Sequence, residues 1–214
     1  MKKFKFVLFV AIATFLINGC GGSQYQVIQS SDKFSNNGSY LISTKDNNLV
    51  MNPFGNDIVN DVFPTLDIGI MVNKSTNCIK DVSLYLYHPT LYSTGNGIYG
   101  SRNATWLNIH KGNRLIFLAD GRRVAFTASA SKQRTSNDGY NSVSKVVTMK
   151  YIDTAVYPAS LNKLKQIASA KKLEVRIEGL DHNHDIEANV INENLAKNFR
   201  KFYQEQIATR QICR

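Results

Sequence analysis

Polar and apolar residues alternate along much of the first three quarters of the chain, and this pattern predicts β-strands. In residues 66–72 every second side chain is apolar, as in a strand with one buried face. Residues 82–87 alternate in the same way, and His88-Pro89 is expected to end that strand because proline cannot continue a hydrogen-bond ladder. Further strands are expected at residues 40–42, 49–51, 106–109, 115–118, 124–127 and 143–156.

One turn and one loop are indicated between these strands. Asp120-Gly121 lies between the apolar runs 115–118 and 124–127, and both residue types tolerate the positive φ angles of a tight hairpin turn. The two runs are therefore expected to pair antiparallel. Residues 132–142 are polar and rich in turn-forming residues, so a loop is expected there.

The last quarter of the chain changes to a helical period. Apolar residues three and four apart predict an amphipathic helix over residues 158–172, with Pro158 in its opening turn. A strand is expected at 173–178, ended by Gly179, and a second amphipathic helix is expected after an Asn192 cap. The predicted class is α+β, with an antiparallel, sandwich-like sheet region followed by two amphipathic helices and an intervening strand.

The N-terminus has the organisation of an export signal. A basic run at residues 2–5 is followed by an apolar stretch over residues 6–17 and by Asn18-Gly19-Cys20. About 12 apolar residues are too few to span a bilayer as a helix. Residues 17–20 resemble the lipobox of bacterial lipoproteins, and this resemblance implies that Cys20 becomes the lipid-modified first residue of the mature chain. The alternative is ordinary secretion after a cut near Gly19 or Gly22.

The resemblance also implies a place in the cell. Several acyl chains on Cys20 would hold the protein stably at a membrane. Gly21, rather than aspartate, follows the cysteine, which in this family favours the outer membrane where the host has one. The expected organisation is a signal peptide over residues 1–19, a flexible tether over 20–38 and one α+β domain over 39–214. That domain loosely resembles uncharacterised bacterial lipoprotein domains, and the resemblance implies no activity.

The cysteine count predicts one disulfide. The chain has three cysteines, and lipid on Cys20 would leave Cys78 and Cys213 as an even pair. Because an exported protein matures where disulfides form and persist, these two are expected to be bonded to each other. The alternative is two free thiols.

The net charge and the glycine-rich segment argue against nucleic-acid binding and dinucleotide binding, but they indicate no specific function. The formal net charge is +10, and about +7 remains without the three lysines of the signal. The charges are scattered, which is typical of a solvated surface, and no nucleic-acid-binding motif is present. Residues 95–100 match G-x-G-x-x-G, but a strand rather than a helix is expected after them, so a flexible loop is the better interpretation and no cofactor is expected.

Candidate chemistry is sparse. His182 and His184 lie in the densest cluster of metal-ligand residue types, residues 181–185, although polar residues are also what a turn at this point requires. No G-x-S-x-G motif is present, and no carboxylate is placed to orient His88 or His110. A catalytic pair of Asp or Glu residues can come from distant parts of the chain and would then show no recognisable spacing in the sequence, so this alternative stays open. The sequence otherwise favours a protein without catalytic activity.

The aromatic residues give the best candidate for a binding surface, namely Tyr85, Tyr87, Tyr99 and Trp106. The alternative is that these rings belong to the core, because either face of the 82–87 strand could be buried. The expected function is a lipid-anchored envelope module that binds an envelope protein or glycan without catalysis. Two alternatives stay open: an envelope hydrolase using carboxylates or a metal near His182 and His184, and a structural subunit of a secretion or surface assembly.

Overall fold

The computed structural model of the chain describes residues 25–30, 38–50, 63–94, 106–142 and 146–213. Within these ranges it has ten strands in two antiparallel sheets, together with two α-helices. The predicted α+β class and sandwich-like arrangement are therefore confirmed. None of the described helices is long and apolar enough to cross a membrane.

The larger sheet has six strands, and every neighbouring pair is antiparallel. Its strands in chain order are β1 (Val27–Ser30), β2 (Ser39–Thr44), β3 (Thr65–Asn73), β4 (Ile79–Thr94), β7 (Ala130–Asn141) and β8 (Val146–Pro158). Their spatial order is β1-β2-β3-β4-β8-β7. β1 lies inside the segment predicted to be a tether, and it pairs with β2 as an edge strand.

The smaller sheet has four strands in the order β10-β9-β5-β6. They are β5 (Arg114–Ala119), β6 (Arg122–Thr127), β9 (Leu173–Glu178) and β10 (Asn183–Ile186). Asp120 and Gly121 join β5 to β6 with φ angles of 50° and 79°, so the predicted hairpin is confirmed. β10 corrects the interpretation of residues 181–185 as a turn, since His184 and its neighbours pair with β9.

Two helices complete the fold, α1 (Leu161–Ser169) and α2 (Asn194–Phe202), and a π-helical turn (Tyr203–Ile207) extends the second. The side chain of Ser160 caps α1 by accepting a hydrogen bond from the backbone N–H of Lys163. Pro158 is the last residue of β8 and not part of the helix, so its predicted place was wrong. Glu193, not the predicted Asn192, is the N-cap residue of α2, although Oδ1 of Asn192 accepts a hydrogen bond from the N–H of Asn194, the first residue of the helix.

One hydrophobic core joins both sheets and both helices. Its largest fully buried side chains include Leu66, Leu84, Phe117, Tyr157 and Phe199. The sequence predicts an apolar stripe on the second helix at Leu195, Phe199, Phe202, Tyr203 and Ile207. All of these are buried except Tyr203, which is partly buried. Cys78 and Cys213 form the predicted disulfide, with their Cα atoms 5.1 Å apart, and it holds the C-terminal tail against the start of β4.

Four predictions about strands were wrong. β4 continues through His88-Pro89, where it pairs with β8 alone, because pairing with β3 ends at Thr65 opposite Tyr87. A proline is tolerated beside such an open edge. The segment 132–142, predicted to be a loop, belongs to β7, an edge strand with few buried side chains and hence little apolar pattern.

Residues 106–109 and residues 49–50 do not form regular strands, and position 51 of the second predicted strand lies outside the described residues. Asn108 has a φ of 55°, which breaks an extended conformation, and the backbone N–H of Ile109 bonds to the side chain of Asp153 instead of a neighbouring strand. Val50 makes only an isolated bridge to Ile191.

Candidate functional site

The first candidate region is an open cavity of about 360 Å³ on the outer face of the six-stranded sheet, here called the outer groove. It crosses four strands, β3, β4, β8 and β7, along two rows of paired residues. One row is Asp67, Tyr85, Val156 and Ala130, and the other is Thr65, Tyr87, Thr154 and Lys132.

The alternation of β4 places its tyrosines in this groove. Leu84 and Leu86 are buried against the core, so Tyr85 and Tyr87 point to the opposite face, where they are half-buried. The structure thus decides between the two faces that the sequence left open. Both rings line the groove.

Gly69 of β3 provides the space that Tyr85 occupies. A Cβ atom added to Gly69 would lie 2.8 Å from Cε2 of Tyr85, 3.1 Å from Cβ of Ser43 and 3.2 Å from Cδ1 of Leu41. A distance of 2.8 Å is too short for a carbon–carbon contact, so the ring leans over the glycine backbone. Any larger residue at position 69 would push the ring away from its present position.

Asp67 is the acidic group of the groove. Its Oδ1 accepts hydrogen bonds from Oγ1 of Thr44 at 2.8 Å and from the backbone N–H of Asn47 at 3.1 Å. Burial outweighs these bonds and raises the pKa of the carboxyl to about 6. Among the described residues no lysine or arginine pairs with it, so at neutral pH the groove holds a carboxylate without a cationic partner.

The second candidate region is a polar cluster inside one end of the sandwich, here called the histidine cluster, made of His88, His182, His184, Trp106 and Asp153. His88 belongs to β4 and His184 to β10, and Nε2 of His88 lies 2.9 Å from Nδ1 of His184, so one hydrogen bond joins the two sheets. Asp153, which is fully buried, is the register partner of His88 on β8.

The charged forms of these groups are disfavoured by burial. Desolvation, together with His184 and His182 nearby, lowers the pKa of His88 to about 3. Desolvation also lowers the pKa of His184, against the attraction of Asp185, and raises the pKa of Asp153. His88 and His184 are therefore neutral near pH 7.

Several buried polar atoms of the cluster have no hydrogen-bond partner among the described residues. They are Nδ1 of His88, Nε2 of His182, Nε1 of Trp106 and Oδ2 of Asp153. In the described part of the chain no three His, Cys, Asp or Glu side chains are arranged to hold a metal ion. His184 is thus hydrogen-bonded to His88, and His182 lies near them, but the three do not form a recognisable ligand set.

No protein-family model, curated protein or solved structure matches the chain. The functional argument therefore depends on the geometry of the two regions.

The structure divides the aromatic residues that the sequence grouped together. Tyr85 and Tyr87 line the outer groove, whereas Trp106 belongs to the histidine cluster, where it lies beside Asp153 and stacks on Tyr151 with ring centroids 5.2 Å apart. Tyr99 and the lipidation candidate Cys20 lie outside the described residues, as does the glycine-rich segment 95–100.

Sequence reasoning missed Asp67 and Lys132 as groove residues. The alternation of β3 could have placed Asp67 on the polar face, since its neighbours Leu66 and Ile68 are apolar. No local signal could have placed Lys132, because its segment was interpreted as a loop.

Proposed function

We propose that this protein is a lipid-anchored module of the bacterial cell envelope that binds another envelope component in the outer groove. The observation that carries the proposal is the pair of tyrosines on the open face of a sheet whose other face is core. Tyrosine offers a large contact area at a low cost in side-chain entropy, and a sheet packed on one side holds such rings in place.

The export signal and Cys20 support the envelope location, and the groove supports a binding role. The groove is open, and the described residues that line it include no histidine or cysteine. Its one serine, Ser131, has no histidine among the lining residues to act as its base. Its one acidic residue, Asp67, has no second carboxylate among the residues that line the groove. A binding surface is therefore better supported here than a hydrolase site.

Site-specific photocrosslinking in living cells tests the binding role. A photoreactive phenylalanine analogue in place of Tyr87 is expected to form a covalent adduct with the bound component. The same analogue in place of Leu118, an exposed residue on the outer face of the other sheet, is the matched control and is expected to form none. If neither position, or both positions equally, gave an adduct, the groove would not be the binding surface.

The anchor has its own test. Cys20→Ala is expected to move the protein from the membrane fraction to the soluble fraction, because the acyl chains that hold it there would no longer be attached. Mass analysis of the intact wild-type protein from native membranes should show an N-terminus at Cys20 carrying acyl mass. A wild-type chain without that mass would contradict the anchor while leaving the groove untouched.

A further inference from the structure

We infer that the ligand of the outer groove is a saccharide chain carrying ammonium groups, that is, a chain of amino sugars. This inference rests on the proposed function, since it names the class of ligand for the same groove. Three features of the groove lead to it: the direction in which it runs, the carboxylate of Asp67 and the position of the Tyr85 ring.

The direction of the groove is unsuited to a peptide backbone. A peptide that adds to a sheet runs along an edge strand, where free N–H and C=O groups accept it. The outer groove instead runs across β3, β4, β8 and β7, whose backbone groups already pair with one another. A bound peptide would find few partners for its own backbone here, so it would lack the main-chain hydrogen bonds that give strand addition its affinity.

A saccharide has no such requirement, because its hydroxyl groups can bond to side chains. Polar side chains occur along the groove at Thr65, Asp67, Lys132 and Thr154. Three strand spacings separate β3, which carries Asp67, from β7, which carries Lys132, so the groove is about 14 Å long across the strands. This length suits a short oligosaccharide better than a single ring.

The charge of Asp67 selects the ligand further. The carboxylate is largely buried, ionised at neutral pH and without a cationic partner among the described residues. An ammonium group of the ligand would supply the missing charge and form a charge-assisted hydrogen bond. The register partner of Asp67 is Tyr85, so the same ammonium would lie beside an aromatic ring, which also attracts cations.

The Tyr85 ring offers a surface for the body of a sugar. It leans over Gly69, which leaves the side of the ring away from that glycine toward the groove. The carbon–hydrogen face of a sugar ring packs well on such an aromatic surface. Tyr87, two residues further along β4, offers a second ring in the next row.

The experiment compares two soluble hexasaccharides, glucosamine hexamer and N-acetylglucosamine hexamer, which differ by the charge on nitrogen. Calorimetry at pH 7.5 with the full-length protein in detergent micelles is expected to show tighter binding of the glucosamine hexamer. Asp67→Asn should weaken that binding by about tenfold and abolish the preference. Asp185→Asn, which removes a surface carboxylate on the other sheet, is the matched control and should change neither affinity.

Gly69→Ala tests the contribution of the Tyr85 ring to binding separately from that of the Asp67 carboxylate. The added methyl group would displace Tyr85, so both hexamers should bind about fivefold more weakly while the preference between them remains. An unchanged temperature of unfolding would show that each variant is folded.

The outcomes separate this inference from the proposed function. Equal binding of both hexamers, or no effect of Asp67→Asn, would overturn the recognition of ammonium. Trilysine binding as tightly as the glucosamine hexamer, with the same loss in Asp67→Asn, would overturn the saccharide. A protein adduct at position 87 with no binding of either hexamer would overturn the saccharide but leave the groove as a binding surface, whereas no adduct at all would remove both.

Discussion

Replacing Cys213 with serine is expected to lower the free energy of unfolding by up to about 5 kcal/mol, because the disulfide closes a loop of more than a hundred residues. For a domain of this size such a loss corresponds to roughly 15 °C in the temperature of unfolding. The bond also positions the tail, where the N–H of Ile79 donates to Gln211 O and the N–H of Cys213 donates to Ile79 O. Without the disulfide, these two backbone hydrogen bonds would have to hold the tail against β4 without a covalent link.

Thermal unfolding followed by circular dichroism under non-reducing conditions measures this effect. Cys78→Ser, Cys213→Ser and the double variant should unfold at the same reduced temperature, since each removes the same bond. Ser75→Ala, an exposed substitution near Cys78, controls for the change of a surface side chain. Single variants that unfold within a few degrees of wild type would show that the bond contributes little to stability.

The sequence predicted strands well where only one face of the strand is buried. β3 and β9 were predicted because their apolar residues face the core and their alternate residues face outward. β7 was missed because it is an edge strand whose described side chains are mostly exposed, so no apolar face marks it. Pro89 was wrongly predicted to end β4. A proline ends a strand only where both edges of the strand are paired, and at this point β4 pairs with β8 alone.

The candidate site was predictable only in part. The alternation in residues 84–87 showed that Tyr85 and Tyr87 share a face, but only the packing of two sheets decides that this face is outside the core. The register that places Asp67 opposite Tyr85, and Lys132 in the next row, is a property of strand pairing that one sequence does not contain. His88 and His184 are 96 residues apart and lie in different sheets, so no spacing in the sequence connects them.

The histidine cluster leads to the second large effect, a loss of stability in acid. The pKa of His88 is about 3 in the folded protein and about 6.5 in the unfolded chain. Between these values the unfolded chain binds a proton that the folded protein excludes, so stability is full above pH 6.5 and falls as the pH drops toward 3. At pH 4, about 2.5 pH units below the unfolded value, the loss reaches about 3 kcal/mol.

The variant His88→Gln isolates this contribution, because glutamine can still hydrogen-bond to His184 but does not titrate. Denaturant unfolding at pH 7 and pH 4 should show that the variant loses about 3 kcal/mol less than wild type over this interval.

Asp67 and Asp153, whose pKa values are raised in the fold, act with the opposite sign: each adds stability as the pH falls. They are present in both proteins, so the difference between wild type and variant reports mainly the histidine. An equal loss in wild type and His88→Gln would mean that His88 is not excluded from protonation in the folded protein, and that the two sheets can accommodate a charge where this hydrogen bond joins them.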